Sequence, residues 1–167
     1  MDTLFENSFV RDKQLAKEIY GYYYFQRKWR IVCYVVIILS FLGNVWFAIN
    51  GNTLSWSVVV FVPLFILLQI YGYFRNVSTM VKRDMEVHGK AITVETVVTD
   101  AYIQQTASTG AVNKLEYDSV KKVTRTKNLI MLHSKARLIY IFRKDTFQKG
   151  TADEFITFLK GKGIKIK

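Results

Sequence analysis

The chain has 167 residues, half of them apolar and 15% aromatic, with 24 Lys and Arg against 13 Asp and Glu for a formal net charge of +11. Its single cysteine, Cys33, excludes an internal disulfide, and one cysteine with two histidines leaves no zinc-ligand pattern. The charge is too unevenly spread for an ordinary soluble domain: residues 31–74, 44 in all, contain no Asp, Glu, Lys, Arg or His, and in water they would expose far more apolar surface than a monomer tolerates.

Residues 1–30 are predicted to form an N-terminal helical arm. Residues 8–28 follow an amphipathic helical pattern, with Asn7 or Ser8 as cap, Leu15, Ala16, Ile19, Tyr20, Tyr23 and Tyr24 on one side, and Lys13, Lys17 and Glu18 on the flanks. Gly21 and the three tyrosines after it suggest a bend at the headgroup level. Such a helix would lie in the membrane interface or pack against the C-terminal domain.

Two uncharged runs follow, residues 31–49 and 54–74. At 1.5 Å per residue each covers about 30 Å, the thickness of a bilayer's hydrocarbon. One charge at the centre of either would cost ~2.5–3.5 kcal/mol on insertion, so the absence of any is informative. Asn50-Gly51-Asn52-Thr53 between them has the composition of a turn, which predicts a transmembrane hairpin. A cleaved signal peptide does not fit, since thirty mostly polar residues precede the first run and no small-residue cleavage pattern follows it.

The flanks predict orientation. Arg27, Lys28 and Arg30 precede the hairpin, Arg75, Lys82 and Arg83 follow it, and the connecting loop is uncharged. The positive-inside rule then places both termini in the cytoplasm of a multi-pass plasma-membrane protein. Trp46, Phe47 and Trp56 suit the outer interface, and Trp29, Tyr71, Tyr73 and Phe74 the inner one. Counting from the loop, Asn44 and Gln69 differ in depth by roughly 15 Å; Gln69 is level with Tyr34, and a Gln69–Tyr34 hydrogen bond is expected. Pro63 should kink the second helix by removing a donor.

Residues 75–90 read as a juxtamembrane extension of the second helix, stopped by Gly89. Beyond it, in residues 91–167, the period changes to two. Strands are predicted at 92–99, 102–107, 112–117, 120–127, 129–134 and 137–143, separated by turn signals. Thr151 and Glu154 form a capping box, after which Phe155, Phe158 and Leu159 share a helical face that ends at Gly161. The expected fold is therefore a membrane helical hairpin joined to an α+β domain: a curled antiparallel sheet of about six strands capped by a C-terminal helix.

At this point the chain resembles a known family. The two apolar spans, the segment Leu115-Glu116-Tyr117-Asp118-Ser119-Val120-Lys121-Lys122-Val123, the run from Leu138 to Lys144, Phe147 and the short helix with an acidic start are similar to the YcxB-like bacterial membrane proteins. The resemblance spans about residues 30–160 and rests on hydrophobic patterns. Two positions depart from the family pattern: Phe142-Arg143-Lys144 lacks a proline common there, and Tyr117 stands where Trp is usual. The resemblance implies a C-terminal domain like the bacterial pleckstrin-homology-like domains, and it implies no particular chemistry.

Catalytic, cofactor-binding and metal-binding residues are not expected. His88 and His133 have no supporting ligand motif, Ser134 lacks a nucleophile elbow, and Gly161-x-Gly163 has neither the strand nor the helix of a phosphate loop. The basic balance is the main signal, since residues 75–167 hold 18 Lys and Arg against 9 Asp and Glu. Tethered within a Debye length of an anionic leaflet, such a domain gains up to ~1 kcal/mol for each cation that reaches the headgroups. Candidate lipid contacts are Arg27, Lys28, Arg30, Arg75, Lys82, Arg83, Lys121, Lys122, Arg125 and Lys127. Leu138, Tyr140 and Phe142 form a candidate partner edge, because that strand is apolar on both faces. The function expected is a non-enzymatic, membrane-anchored binding module whose partners are membrane lipid and a second copy or another membrane protein; neither nucleic acid nor a small-molecule substrate is expected. Protection of a producer cell against a membrane-active bacteriocin or toxin, and service as an accessory subunit of a transporter, are the alternatives.

Overall fold

The computed structural model describes residues 2–51, 53 and 56–166. It divides into two compact units, one formed by residues 1–12 with 83–167 and the other by residues 13–82. The N-terminal arm is therefore not one element. Its first part, Phe5–Val10, is a strand (β1) of the extramembrane domain, and the helix predicted from residue 8 begins only at Lys13 (α1, Lys13–Gly21). Asn7 is the reason. Phe5, Asn7 and Phe9 all face inward, and a polar residue in the middle of an apolar alternation reads from the sequence as a helix cap.

The second unit continues from α1 through a π-helical turn, Tyr22–Gln26, into α2 (Lys28–Ile49) and α3 (Trp56–His88). Leu15, Ala16 and Ile19 are the buried stripe of α1. Both α2 and α3 are long and apolar enough to cross a membrane, and none of the apolar stretch of either is buried within the protein. The turn starts as expected, with Asn50 closing α2 through its backbone and side-chain amides and Gly51 at φ +84°. Asn52 of the expected turn and Leu54, the expected start of the second span, lie outside the described residues. Pro63 sits inside α3 without ending it. Gly89, at φ +66° and donating to the Met85 carbonyl, ends α3 as predicted.

The six predicted strands of the domain are all present: β2 (Thr93–Val98), β3 (Tyr102–Ala107), β4 (Val112–Glu116), β5 (Val120–Arg125), β6 (Leu129–Ser134) and β7 (Ile139–Arg143). A short β8 (Phe147–Lys149) and β1 are additions. Instead of one curled sheet there are two, a five-stranded one in the order β4-β3-β2-β1-β8 and a three-stranded one in the order β5-β6-β7, and the sheet is not closed. β1 pairs antiparallel with β2 along its whole length, from Phe5 opposite Val98 to Val10 opposite Thr93.

The helix α4 (Ala152–Gly161) has the full capping box, with the Thr151 hydroxyl accepting from Glu154 N and the Glu154 carboxylate accepting from Thr151 N. It closes the core. Phe5, Val98, Ile103 and Leu115 come from the first sheet, Val120, Val123, Ile130, Leu132, Tyr140 and Phe142 from the second, and Phe155, Ile156 and Leu159 from α4. The rings of Phe142 and Phe155 lie 4.6 Å apart. Each such side chain removed from water contributes about 1.5–3 kcal/mol. Phe5 also explains Gly150, which has φ +73° and whose place any Cβ would take only by striking the Phe5 ring.

One rung of the inner face is polar. Asn7, Thr96, Gln105 and Asn113 lie opposite one another on β1, β2, β3 and β4. The rung faces the otherwise open edge of β7 and satisfies it. The Asn7 side chain donates to the Arg143 carbonyl at 2.8 Å and accepts from Arg143 N at 3.3 Å, while Gln105 donates to the Ile141 carbonyl at 2.9 Å and to Thr96 at 3.0 Å. A side-chain amide thus replaces the neighbouring strand that β7 lacks. Removing it leaves buried backbone groups without partners, so Asn7→Ala should destabilise the domain by about 2–3 kcal/mol. Thermal unfolding of the full chain in mild detergent checks this against Ser8→Ala, which alters the outward face and should change stability by less than about 0.5 kcal/mol; equal losses would contradict the clasp.

Candidate lipid-facing surface

β5 carries the central basic cluster. Its pairing with β6 slips between Val120 and Lys122, and the bulge lets Val120 and Val123 both enter the core at a spacing of three. Lys121 and Lys122, between them, are both turned off the core. Lys121, Arg125 and Lys127 are exposed and Lys122 is half-buried. Among the described residues none of these four pairs with a carboxylate. They do not form one patch, however, since Lys121 and Lys127 stand at opposite ends of β5, roughly 17–20 Å apart at strand rise.

At the Lys127 end, the Lys144 ammonium donates to the Thr126 and Lys127 carbonyls at 2.6 and 3.0 Å. Arg143 is also engaged, with Asp12 at 3.2 Å and Asp145 at 3.3 Å. These cations hold the fold. At the Lys121 end the register places Val120 opposite Ser134, and Lys135 N donates to the Ser119 carbonyl at 2.8 Å. The β6–β7 hairpin tip, with exposed Lys135 and Arg137, therefore stands beside Lys121. Sequence separation hid this neighbourhood; the Ser134-Lys135-Ala136 turn signal was the only trace of it.

The predicted partner edge is corrected. Tyr140 and Phe142 are 4% and 0% exposed and belong to the core under α4. The free side of β7 is taken up by Asn7 and Gln105, and the Tyr140 hydroxyl donates to the Lys114 carbonyl. Only Leu138, 52% exposed, remains available, joined by Ile139 at 38%. The strand is apolar on both faces, and the domain itself covers the Tyr140–Phe142 face.

Within the second unit, Arg27, Lys28, Arg75 and Lys82 are exposed, while Arg30 is spent locally. Its guanidinium stacks over Tyr24 at 4.9 Å and donates to Gln69 Oε1 at 3.4 Å. The expected Gln69–Tyr34 bond is thereby replaced, and the Tyr34 hydroxyl donates instead to the Tyr24 carbonyl at 3.1 Å. Tyr24 is the centre of this arrangement. Its hydroxyl accepts from Asn76 Nδ2 at 2.7 Å and lies over Gly72, where a Cβ would come within 3.0 Å of it. In the domain, Arg83 is exposed, and the nearly buried Asp84 faces the Arg11 guanidinium at 3.3 Å. His88 is exposed at the end of α3, and His133 meets the Thr124 hydroxyl at 3.1 Å.

An open depression of about 420 Å³ lies between β3, β4 and the end of α4, lined by Tyr102, Lys114, Glu116, Tyr117, Asp118 and Lys162. Two cations and two carboxylates give it no net preference for an ion. Lys114 stacks over Tyr102 at 3.7 Å, and Lys162 is held by Asp100 at 2.7 Å. The Tyr117 hydroxyl donates to the Thr99 carbonyl. Burial, helped by the negative charge of Asp100, holds this phenol far above its ordinary pKa near 10. A raised pKa means that its contribution to stability is complete below about pH 10 and lost as the pH rises further. Tyr117→Phe should therefore be less stable than wild type at neutral pH, with the gap closing above about pH 10; thermal unfolding across that range measures it, and a gap independent of pH would contradict the assignment.

No curated protein and no solved structure matches the chain. Residues 98–159, from the last residue of β2 to the last buried turn of α4, match the model of the family described as YcxB-like protein, so the resemblance read from Leu115–Val123 and from Leu138–Lys144 is shown over that part of the domain.

Proposed function

We propose that this protein is a non-enzymatic, membrane-anchored binding module, with α2 and α3 crossing the plasma membrane as a hairpin and the basic domain held at the inner leaflet. The observation that carries the reading is the β1–β2 ladder. Residues 5–10 and 93–98, which flank the two apolar helices, are six paired positions of one antiparallel ladder, so the chain leaves and returns on the same side of any membrane it crosses. An even number of crossings satisfies that condition, and two apolar helices supply it. The Lys and Arg residues on the flanks, against an uncharged loop, favour the cytoplasm for that side. Two packed sheets with a terminal helix over the core agree with a pleckstrin-homology-like domain, a scaffold on which function depends on the surface and not on the fold.

Sidedness has a direct test. Single cysteines at Ser8 and at Glu95, in a Cys33→Ala background, should both react with an impermeant reagent only after the cells are opened. Reaction of one without the other in intact cells would overturn the hairpin.

Lipid contact is tested on the full chain in vesicles, because a fragment starting after α3 lacks β1. With a donor on Val112→Cys and a lipid-linked acceptor, energy transfer should be higher in phosphatidylglycerol than in phosphatidylcholine vesicles. It should fall as salt shortens the Debye length from about 10 Å at 0.1 M to about 3 Å at 1 M. Equal transfer in both lipids would refute the basic-face reading.

A further inference from the structure

The free cations of the domain are not equivalent, and one group of them surrounds exposed apolar side chains. On the second sheet, Lys122, His133 and Ile139 are cross-strand partners, as are Thr124, Met131 and Ile141, and Leu129 and Arg143. These residues share one face of the sheet, the face opposite the core. Its centre is closed, for Thr124, Leu129 and Met131 are buried. Its Lys122–Ile139 end is open and continues into the hairpin tip, where Lys135, Arg137 and Leu138 are exposed beside Lys121.

Arg143, at the other end of this face, pairs with Asp12, the last residue of the domain before α1, at 3.2 Å. Several other basic side chains are engaged, with Arg143 and Lys144 bound as described, Lys149 donating to the Thr3 carbonyl and Lys162 held by Asp100, and the exposed Arg125 and Lys127 stand apart, toward the far end of β5. Among the described residues Lys121, Lys122, Lys135 and Arg137 have no carboxylate partner. Arg137 is also the only described residue other than glycine at positive φ, +65°. Glycine would take that conformation without strain, yet the tip carries an arginine there.

We propose that the β6–β7 hairpin tip and the adjoining β5 bulge are the surface by which this domain docks on anionic membrane lipid. Lys121, Lys122, Lys135 and Arg137 meet the headgroups, and Leu138 and Ile139 enter the boundary between headgroups and acyl chains. The proposal rests on the lipid-facing reading above and names its site. Charge complementarity selects the occupant: four unpaired cations around two apolar side chains match an anionic surface with hydrocarbon beneath it. Each cation that reaches the headgroups strengthens docking by about fivefold.

The test again uses the full chain reconstituted in vesicles. An environment-sensitive fluorophore is placed on Ile139→Cys in the Cys33→Ala background, with Val112→Cys, exposed on the far edge of the five-stranded sheet, as the comparison. In phosphatidylglycerol vesicles the label at 139 should shift to the blue and lose most of its quenching by aqueous iodide. In phosphatidylcholine vesicles it should be quenched as fully as the label at 112. Arg137→Gly should keep or raise the thermal stability, since it relieves the backbone, yet weaken docking by about fivefold; a purely structural arginine would not produce that split. If energy transfer from residue 112 reports a docked domain while the label at 139 stays in water, the tip is not the docking surface and the lipid-facing reading survives without it. If energy transfer does not respond to anionic lipid, the underlying reading fails and this site with it.

Discussion

The pairing of β1 with β2 is the constraint on which the rest depends. It joins two segments separated by residues 11–92, and closing a flexible loop of about 80 residues costs roughly 4 kcal/mol of chain entropy beyond a constant. The intervening chain is not flexible. Tyr24 meets Gly72 and Asn76, and Arg30 meets Gln69, so the two ends of the inserted segment are held together by their own contacts. What remains of the closure cost is offset by Phe5 and Phe9 entering apolar surroundings and by the Asn7 clasp. The hairpin is thus an insertion within a domain, and the domain is complete only when the segments before and after that hairpin meet.

The polar rung shows how two sheets can be packed without being closed. The β7 edge crosses the inner face of the first sheet where an apolar row would have left its carbonyls and amide unpaired. Asn7 and Gln105 supply donors and an acceptor at that crossing. The apolar rows stay on either side, with Phe5, Val98, Ile103 and Leu115 facing α4 and the second sheet, and Phe9, Val94 and Ala107 beyond the rung. A buried amide is costly only when half satisfied. Here Asn7, 1% exposed, uses both ends of its side chain.

These features explain what could be read in advance. The two long apolar helices were legible because both runs carry no charge, and β2 to β7 because alternation marks a half-buried strand. β1 was illegible for the reason that makes it important: its central inward residue is Asn7, which satisfies a strand more than 130 residues away. β8 is three residues long and has no period to detect. The Gln69 partner was misassigned because depth along two helices fixes level but not azimuth. The side chain that reaches Gln69 belongs to Arg30, which precedes the uncharged run.

The surface was legible as composition but not as geometry. Clusters along the chain merged cations that the fold separates. Arg125 and Lys127 stand at one end of β5 and Lys121 and Lys122 at the other, while Lys135 and Arg137 join the second pair only through the hairpin contact with Ser119. A net charge of +11 overstates what any partner can meet, since several of the cations are already holding carbonyls or carboxylates in place. An arginine bound to Asp12 and Asp145 cannot approach a headgroup without breaking the join between β7 and the chain's exit from the domain. A lysine at the β5 bulge can approach without disturbing any contact of the fold. Folding therefore divides the basic residues into those that hold the domain together and those left to act outside it, and within the second group the β5 bulge and the hairpin tip gather four at one end of the second sheet.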